Sequence, residues 1–294
     1  MGIPGLLKSL ASITKRVHID SYAGLTVGID ALCWLHQGKF CCIDDLVEGH
    51  YTNKFITYCL ERLQLLISRD IKPVLVFDGR SLPCKNTTNL KRRDERLLNR
   101  SLGNEARFNG NEALARNYFK RSVGVTTDMI NQFVDVLRAE KIDFLISPYE
   151  SDAQLAFLSR SKAIDVVITE DSDVLVYGCR RVLFKMDREG YGDEILRENL
   201  GSNEGLSFSN WTEDQFKMFC CLAGCDYAPK VKNLGIKTAH QYASKYKTFA
   251  KLATALSASS FQGITDSYLL QLENAVYTFK HQVLSHSTRM KRLI

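Results

Sequence analysis

The sequence has no apolar run approaching the length that crosses a bilayer, so a helical membrane protein is not expected. Nor does it have an N-terminal basic region followed by an apolar stretch, the pattern of a secretory signal. Its opening, Met1-Gly2-Ile3-Pro4-Gly5-Leu6, misses the myristoylation pattern, because position 6 is Leu rather than Ser or Thr. Nine cysteines show no C-x-x-C spacing; Cys41-Cys42 and Cys220-Cys221 are adjacent pairs, which suit neither zinc nor ordinary disulfides. Reduced, mostly buried thiols in a soluble intracellular protein are the expectation. Without secretion, the glycosylation-like triplets at Asn86, Asn99 and Asn210 carry no meaning. Internal repeats, low-complexity segments and linkers are also missing. His36 has no Ser or Cys partner at triad-like spacing, so nucleophilic catalysis by a side chain is unsupported.

What is present is enough apolar material for a large core: 45% of 294 residues are hydrophobic. The net charge of +6 is unevenly placed. Between Lys85 and Arg121, ten basic residues (among them Lys91, Arg92, Arg93, Arg96 and Arg100) oppose four acids, so this segment carries an excess equal to that of the whole chain. A localised positive field favours a polyanion partner, although most charge runs end as solvated helix faces laced with ion pairs.

Apolar runs at 25–29, 73–77, 144–148 and 164–169 read as buried strands, with a further one at 181–186. Helical spacing at 52–68, 127–141 and 151–161 alternates with them, and Ser151 or Asp152 is expected to cap the last of these. The pattern predicts an α/β fold with a mainly parallel sheet flanked by helices. Residues 85–128 break the rhythm as a basic helical insertion, interrupted at Gly103 and Gly110 and standing away from the sheet. From Trp211 onward the chain reads as all-helical. Thr212 to Gln215 form a capping box, and Gly224 to Gly235 link two helices. Lys230, Lys232 and Lys237 surround Gly235 at a helix start; this is either a phosphate cradle or an ordinary helical hairpin. The expected organisation is one catalytic domain over 1–294: an N-terminal half (1–84), the basic insertion (85–128), an internal half (129–210) and a helical region (211–294).

The strands share one property. Asp30, Asp78, Glu150, Asp152, Asp171, Asp173 and Asp226 are read at strand ends or just after them, and the first six close or follow apolar runs. In a parallel sheet such residues gather at one edge, where ligands bind. Carboxylates pooled in a dry site repel, and a hard divalent cation such as Mg²⁺ relieves the conflict. Glu150-Ser151-Asp152 and Asp171-Ser172-Asp173 each offer two acids, which in extended backbone face the same side. Two ions about 3.5–4 Å apart could clamp both oxygens of a phosphoryl displacement. For any one Asp a cap or turn is the commoner role; seven at comparable places are harder to dismiss. Asp171-Ser-Asp173 also admits a haloacid-dehalogenase-like phosphatase, but that motif wants Thr or Val where Leu175 stands and belongs near the start of a domain.

Met1-Gly-Ile-Pro-Gly-Leu-Leu7, Ile29-Asp30 with Cys33-Trp-Leu-His36, Val76-Phe-Asp-Gly79, Pro148 to Leu155, Ile168 to Leu175 and Ala223-Gly-Cys-Asp-Tyr227 together resemble the flap endonuclease-type structure-specific 5′ nucleases. The match runs in order over at least residues 1–240. Cys33 to His36, Tyr149-Glu150, Thr169 to Asp173 and Lys185-Met-Asp187 resemble the exonuclease branch of that group more than flap endonuclease proper.

The resemblance implies a PIN-like 5′ nuclease fold, with 85–128 as a helical arch and 211–294 as a helix–two-turn–helix region. It implies a 5′→3′ nuclease of duplex DNA with two Mg²⁺ ions, for which Mn²⁺ can substitute. Glu150, Asp152, Asp171, Asp173 and Asp226 would hold metal most directly, and Asp30 and Asp78 partly through waters. Lys85 and Arg92 match basic residues that steer and stabilise the scissile phosphate. Gly2, His36, Arg93, Arg96, Lys185, Lys230, Lys232, Gly235 and Lys237 are the further expected DNA contacts. A monovalent cation near the helix–two-turn–helix is part of the resemblance, but Ala223 and Lys230 stand where relatives carry serines, and Lys230 offers a charge in its place. Partners implied are duplex DNA with 5′ ends, nicks, gaps or flaps, and repair proteins reached through a C-terminal tail beyond Arg292-Leu-Ile294; the implied location is the nucleus. A flap or junction endonuclease is the alternative within the class, and a silent DNA-end-binding module the alternative outside it.

Overall fold

The four apolar runs that end in acids form four adjacent strands of one sheet, running from its interior to one edge. The computed structural model describes residues 2–286; Met1 and residues 287–294, Arg292 to Ile294 among them, lie outside the described residues. In chain order the elements are α1 (Leu6–Ser9), β1 (Thr14–His18), β2 (Thr26–Asp30), α2 (Ala31–Gly38), α3 (Ile43–Glu48), α4 (Lys54–Ile67), β3 (Lys72–Phe77), α5 (Asn86–Phe108), α6 (Glu112–Ser122), α7 (Thr127–Ala139), β4 (Asp143–Ile146), α8 (Ser151–Arg160), β5 (Val166–Thr169), α9 (Asp173–Tyr177), β6 (Arg181–Phe184) and β7 (Tyr191–Leu196). The helical region follows with α10 (Glu213–Ala223), α11 (Ile236–Lys245), α12 (Phe249–Ser257) and α13 (Asp266–Lys280).

The seven strands lie in the order β1-β7-β6-β5-β2-β3-β4. From β6 to β4 every pairing is parallel, while β7 pairs antiparallel with both β6 and β1. The mainly parallel sheet matches the sequence expectation. The two antiparallel strands were not anticipated: β1 (Thr-Lys-Arg-Val-His) is polar and has no buried residue, because an antiparallel edge can face water on one side. The chain order reverses between β2 and β5, and that reversal opens a crevice at the carboxyl ends of the strands.

Both faces of the sheet are covered. On one face Ile29, Leu75 and Phe77 pack with α2, α4 and α7 through Trp34, Leu35, Phe55, Leu63 and Phe133. On the other, Val76, Val167 and Val182 meet α8, α9 and the C-terminal helices through Leu155, Leu175, Phe216 and Phe219. Each such side chain contributes about 1.5–3 kcal/mol when fully buried.

Two local expectations are corrected. Helix α8 is not capped by Ser151 or Asp152. Its N-cap is Glu150, which makes no side-chain cap bond; instead Asp78, just past β3, accepts the Ser151 N–H at 2.7 Å. The cap thus crosses from a neighbouring strand end, which no local pattern encodes. Gly103 does not interrupt the basic insertion: α5 runs through it for 23 residues. A Cβ there would lie 2.5 Å from Phe119 of α6, so this glycine lets the two helices close together, while Gly110, at φ +74°, makes the turn between them. The pair shares a small core with α3, built from Ile43, Val47, Ala106, Ala115 and Phe119 and separate from the cores on the two faces of the sheet.

Gly-to-Ala in a helix ordinarily gains about 0.5–1 kcal/mol. Gly103→Ala is expected to lose about 1–3 kcal/mol instead, because overpacking against buried Phe119 outweighs propensity. Thermal unfolding of the two proteins checks this; a higher melting temperature for the variant counts against the α5–α6 packing.

Candidate active site

Four parallel strands deliver acids to one edge. Asp30 ends β2, Asp78 follows β3, Glu150 and Asp152 follow β4, and Asp171 and Asp173 follow β5. Asp226 reaches the same place from the loop after α10. The i, i+2 pairs are not in extended backbone as expected: Asp152 lies in the first turn of α8, and Asp173 is the first residue of α9. Both acids are therefore aimed by helix starts, where the backbone dipole favours a negative charge.

Asp152, Asp171 and Asp173 form the tightest group, each offering an oxygen within 4.8 Å of the others. Burial is the main force raising all three above the ordinary carboxylate range, and for Asp152 and Asp173 the next is the charge of Asp171. Asp171 Oδ1 accepts the Asp173 N–H at 3.0 Å. Asp152 Oδ1 and Asp173 Oδ1 are buried with no hydrogen-bond partner among the described residues. Orphaned carboxylate oxygens are costly, and a cation satisfies them. An all-oxygen donor set of this kind fits a hard divalent ion.

Asp30 stands beside this group. Its Oδ1 caps α2 through the Cys33 N–H at 3.1 Å, and its Oδ2 accepts from the Thr169 hydroxyl at 3.0 Å. Burial first, then the charge of Asp78, push its pKa up to about 6. Gly2 packs directly on the cluster: at φ +80°, a Cβ there would sit 2.3 Å from Asp171 Oδ1 and 2.3 Å from Ser172 Oγ. The Ile3 N–H donates to Ser172 Oγ at 2.7 Å and pins the N-terminal segment in place.

Glu150 and Asp226 form a second group, and here the acids are paired. Lys85 Nζ lies 2.8 Å from Glu150 Oε1 and 3.3 Å from Asp226 Oδ2. One Arg92 nitrogen meets both Asp226 oxygens, at 2.8 and 2.9 Å. The Thr88 hydroxyl donates to the Asp226 carbonyl at 2.9 Å. Residues 85, 88 and 92 fall on one helical face, so the base of α5 docks on Asp226 through a single stripe. Burial alone would lower Lys85, but Glu150 and Asp226 outweigh it and hold the ammonium above its ordinary range.

His36 is half-buried in α2. Burial first, and then Lys39, Arg96 and Arg92, depress its imidazole to about 4, so it is neutral at physiological pH. A neutral ring among cations suits stacking rather than proton transfer. Arg96 donates to the Arg92 carbonyl, while Arg93 is exposed on α5. Lys185 is exposed just past β6, at the same sheet edge, with φ +53°. Lys230, Lys232 and Lys237 are exposed around the start of α11, where Gly235 is the N-cap without a side-chain bond. These last residues are not gathered with the acids; they line a separate, helical surface.

Sequence reasoning missed several members. Tyr227 donates its hydroxyl to Glu150 Oε2, and its ring lies 5.1 Å from Lys85 Nζ. Tyr177, whose hydroxyl is 2.7 Å from that of Tyr227, is another. Thr88 and Thr169 complete the set. Tyr227 stands within a quoted motif, beside Asp226, which was its one visible signal.

Comparison with known proteins completes the description. The XPG N-terminal domain model matches residues 1–99, and the XPG I-region model residues 141–226. Exonuclease 1 of Arabidopsis thaliana is 37% identical over 96% of this chain, which spans 38% of that protein. Exonuclease 1 of Xenopus laevis is 40% identical over 81% of this chain and 32% of its own length. The chain thus spans little more than a third of these relatives. Among solved structures, the catalytic core of Rad2 in complex with a DNA substrate superposes with a TM-score of 0.70 at 20% identity, covering 98% of this chain and 89% of that one. At that identity the likeness speaks for the fold.

The raised carboxylates yield a stability prediction. Groups whose folded pKa lies above the unfolded value bind protons more tightly when folded, so their stabilising contribution is complete at low pH and lost as pH rises through the folded value. Metal-free protein should lose stability between about pH 4 and pH 7 through this cluster, Asp30 at about 6 included. Asp173→Asn, which removes one repelling charge, should be more stable than the parent at pH 7.5 in EDTA, with the gap closing as pH falls. Calorimetry against pH reads both; an Asn variant less stable throughout would mean the cluster is not repulsive.

Proposed function

The chain belongs to the XPG family, the flap endonuclease-type group of structure-specific 5′ nucleases, and from that premise we propose that it is a Mg²⁺-dependent 5′→3′ exonuclease of double-stranded DNA that also cleaves 5′ flaps. The supporting observation is the pair of acid groups side by side: one with buried oxygens lacking partners, the other holding two cations. The proposed setting is DNA repair in the nucleus.

Bound divalent ions would polarise the scissile phosphate and lower the pKa of an attacking water, which makes a side-chain nucleophile unnecessary. Asp152, Asp171 and Asp173 would hold one ion, and Glu150 and Asp226 contribute to the second, with Asp30 and Asp78 ordering the waters around them. Lys85 and Arg92 exchange a carboxylate for the phosphate oxygens of the substrate and stabilise the charge that builds there. Gly2, through its close approach, leaves room for phosphate beside Asp171. Neutral His36 stacks on a base near the point of cleavage. Arg93, Arg96 and Lys185 track the backbone near the arch, and Lys230, Lys232 and Lys237 do so along the duplex, where the free N–H groups at Gly235 and the start of α11 receive a phosphate. Lys230 supplies the charge that a monovalent cation would bring to this turn.

Duplex DNA with 5′ ends, nicks, gaps or flaps is the proposed substrate, and repair proteins binding through segments beyond this chain are the proposed partners. The flap or junction endonuclease reading is favoured by one observation, the α5–α6 helical pair whose base meets Glu150 and Asp226. Product length separates the two. Mononucleotides or short pieces from a recessed 5′ end mark an exonuclease, whereas release of an intact single-stranded flap marks an endonuclease. A 5′-labelled duplex should be degraded with Mg²⁺ and left whole in EDTA. Asp173→Ala should abolish cleavage with duplex affinity nearly intact; a protein that binds DNA but never cuts it is an end-binding module instead.

Arg92→Ala should slow cleavage by about 10²–10³-fold in single-turnover kinetics, with a far smaller change in DNA affinity. Loss of affinity alone would reduce Arg92 to steering the backbone.

A further inference from the structure

Glu150 Oε1 is taken by Lys85, and Glu150 Oε2 accepts the Tyr227 hydroxyl. A carboxylate only accepts, so the single Tyr227 proton is committed to Glu150. The 2.7 Å contact between the two phenols must then use the Tyr177 proton. The remaining lone pair of Tyr177 receives the Gln282 amide at 3.3 Å. A one-way chain results: Gln282 N–H to Tyr177, Tyr177 O–H to Tyr227, Tyr227 O–H to Glu150. Such chains polarise one another and strengthen along their length.

Its rigidity is visible in the packing. The Phe279 ring lies 4.8 Å from Tyr177 and 4.9 Å from Tyr227 and fixes both. Gln282 begins a short extended segment after α13. That segment is clamped by the fully buried Gln154, whose side-chain amide meets both the N–H (2.8 Å) and the C=O (3.1 Å) of Ser285. Gln154 lies one turn along α8 from Glu150. The segment that carries Gln282 is therefore tied to the same helix at whose start the relay ends. Tyr227 also touches both members of the ion pair, with its hydroxyl on the carboxylate and its ring on the Lys85 ammonium.

We propose that Tyr227 and Tyr177 are positioning residues for the cleavage reaction, and that the relay from Gln282 sets where Glu150 and its Lys85 partner stand. The proposal rests on the nuclease reading above. It makes the segment at 281–286 part of the active-site assembly rather than a passive exit from the last helix. Partners that hold a metal-binding carboxylate typically cost 10–100-fold when removed.

Tyr227→Phe keeps the ring over Lys85 and the packing on Phe279, and deletes only the hydroxyl. The experiment measures single-turnover cleavage of a 5′-labelled duplex, KM for that duplex, Mn²⁺ affinity by calorimetry without DNA, and melting temperature. Tyr227→Phe is expected to cut the cleavage rate about 10–100-fold and to weaken Mn²⁺, with KM and melting temperature nearly unchanged. Tyr177→Phe should show a smaller loss of the same kind, and Gln282→Ala a smaller one again. A rate and Mn²⁺ affinity within twofold of the parent in Tyr227→Phe overturn the proposal, as does a loss that only follows melting temperature. Should Tyr227→Phe fail to fold, Tyr177→Phe decides by the same criteria. If the parent cleaves no DNA, the nuclease reading falls, and the Mn²⁺ titrations still judge the relay.

Discussion

The rest of the structure depends on forcing like charges together. Parallel strands must release their carboxyl ends at one edge, and here four neighbours each release an acid or a pair of them there. Burial denies those acids the water that would screen them. Asp152 and Asp173 each keep one oxygen with no donor among the described residues. A fold that tolerates this is storing repulsion at a chosen point, and binding of a cation releases it.

The repulsion is answered differently on the two sides of the site. Around Asp171 the all-oxygen donor set suits a divalent cation. Around Asp226 the answer is Lys85 and Arg92, brought in by the base of α5 with Thr88 between them. This couples the arch to the chemistry. The stripe that docks α5 on Asp226 carries Lys85 and Arg92, so α5 cannot lose its hold there without moving both cations. The tyrosine relay extends the same coupling to the far end of the chain, since Glu150 is shared by Lys85 and Tyr227.

The arrangement explains why the site is built from helix starts and turns rather than from strands alone. Asp30 and Asp78 serve as caps as well as acids: one accepts from Cys33 at the head of α2, the other from Ser151 at the head of α8. A carboxylate that caps a helix is fixed in orientation by a bond it would need in any case. Pre-organisation therefore comes from secondary structure, and only the unpaired oxygens are left facing inward.

Much of this was legible along the chain. Apolar runs closed by acids gave the parallel strands and the edge where the site lies, because period and burial are local properties. The concentration of positive charge between Lys85 and Arg121 gave the insertion, and the motifs gave the family. Asp226 was legible as an acid but not as the anchor of α5. The cap on α8, the packing role of Gly103, the antiparallel strands β1 and β7, and the chain from Gln282 to Glu150 were not legible, since each joins segments distant in the sequence. Composition and spacing determined which groups the protein has and which edge they reach. Only the tertiary structure decided which of them are paired and which are left wanting a cation, because that depends on distances between segments that the sequence orders but does not measure.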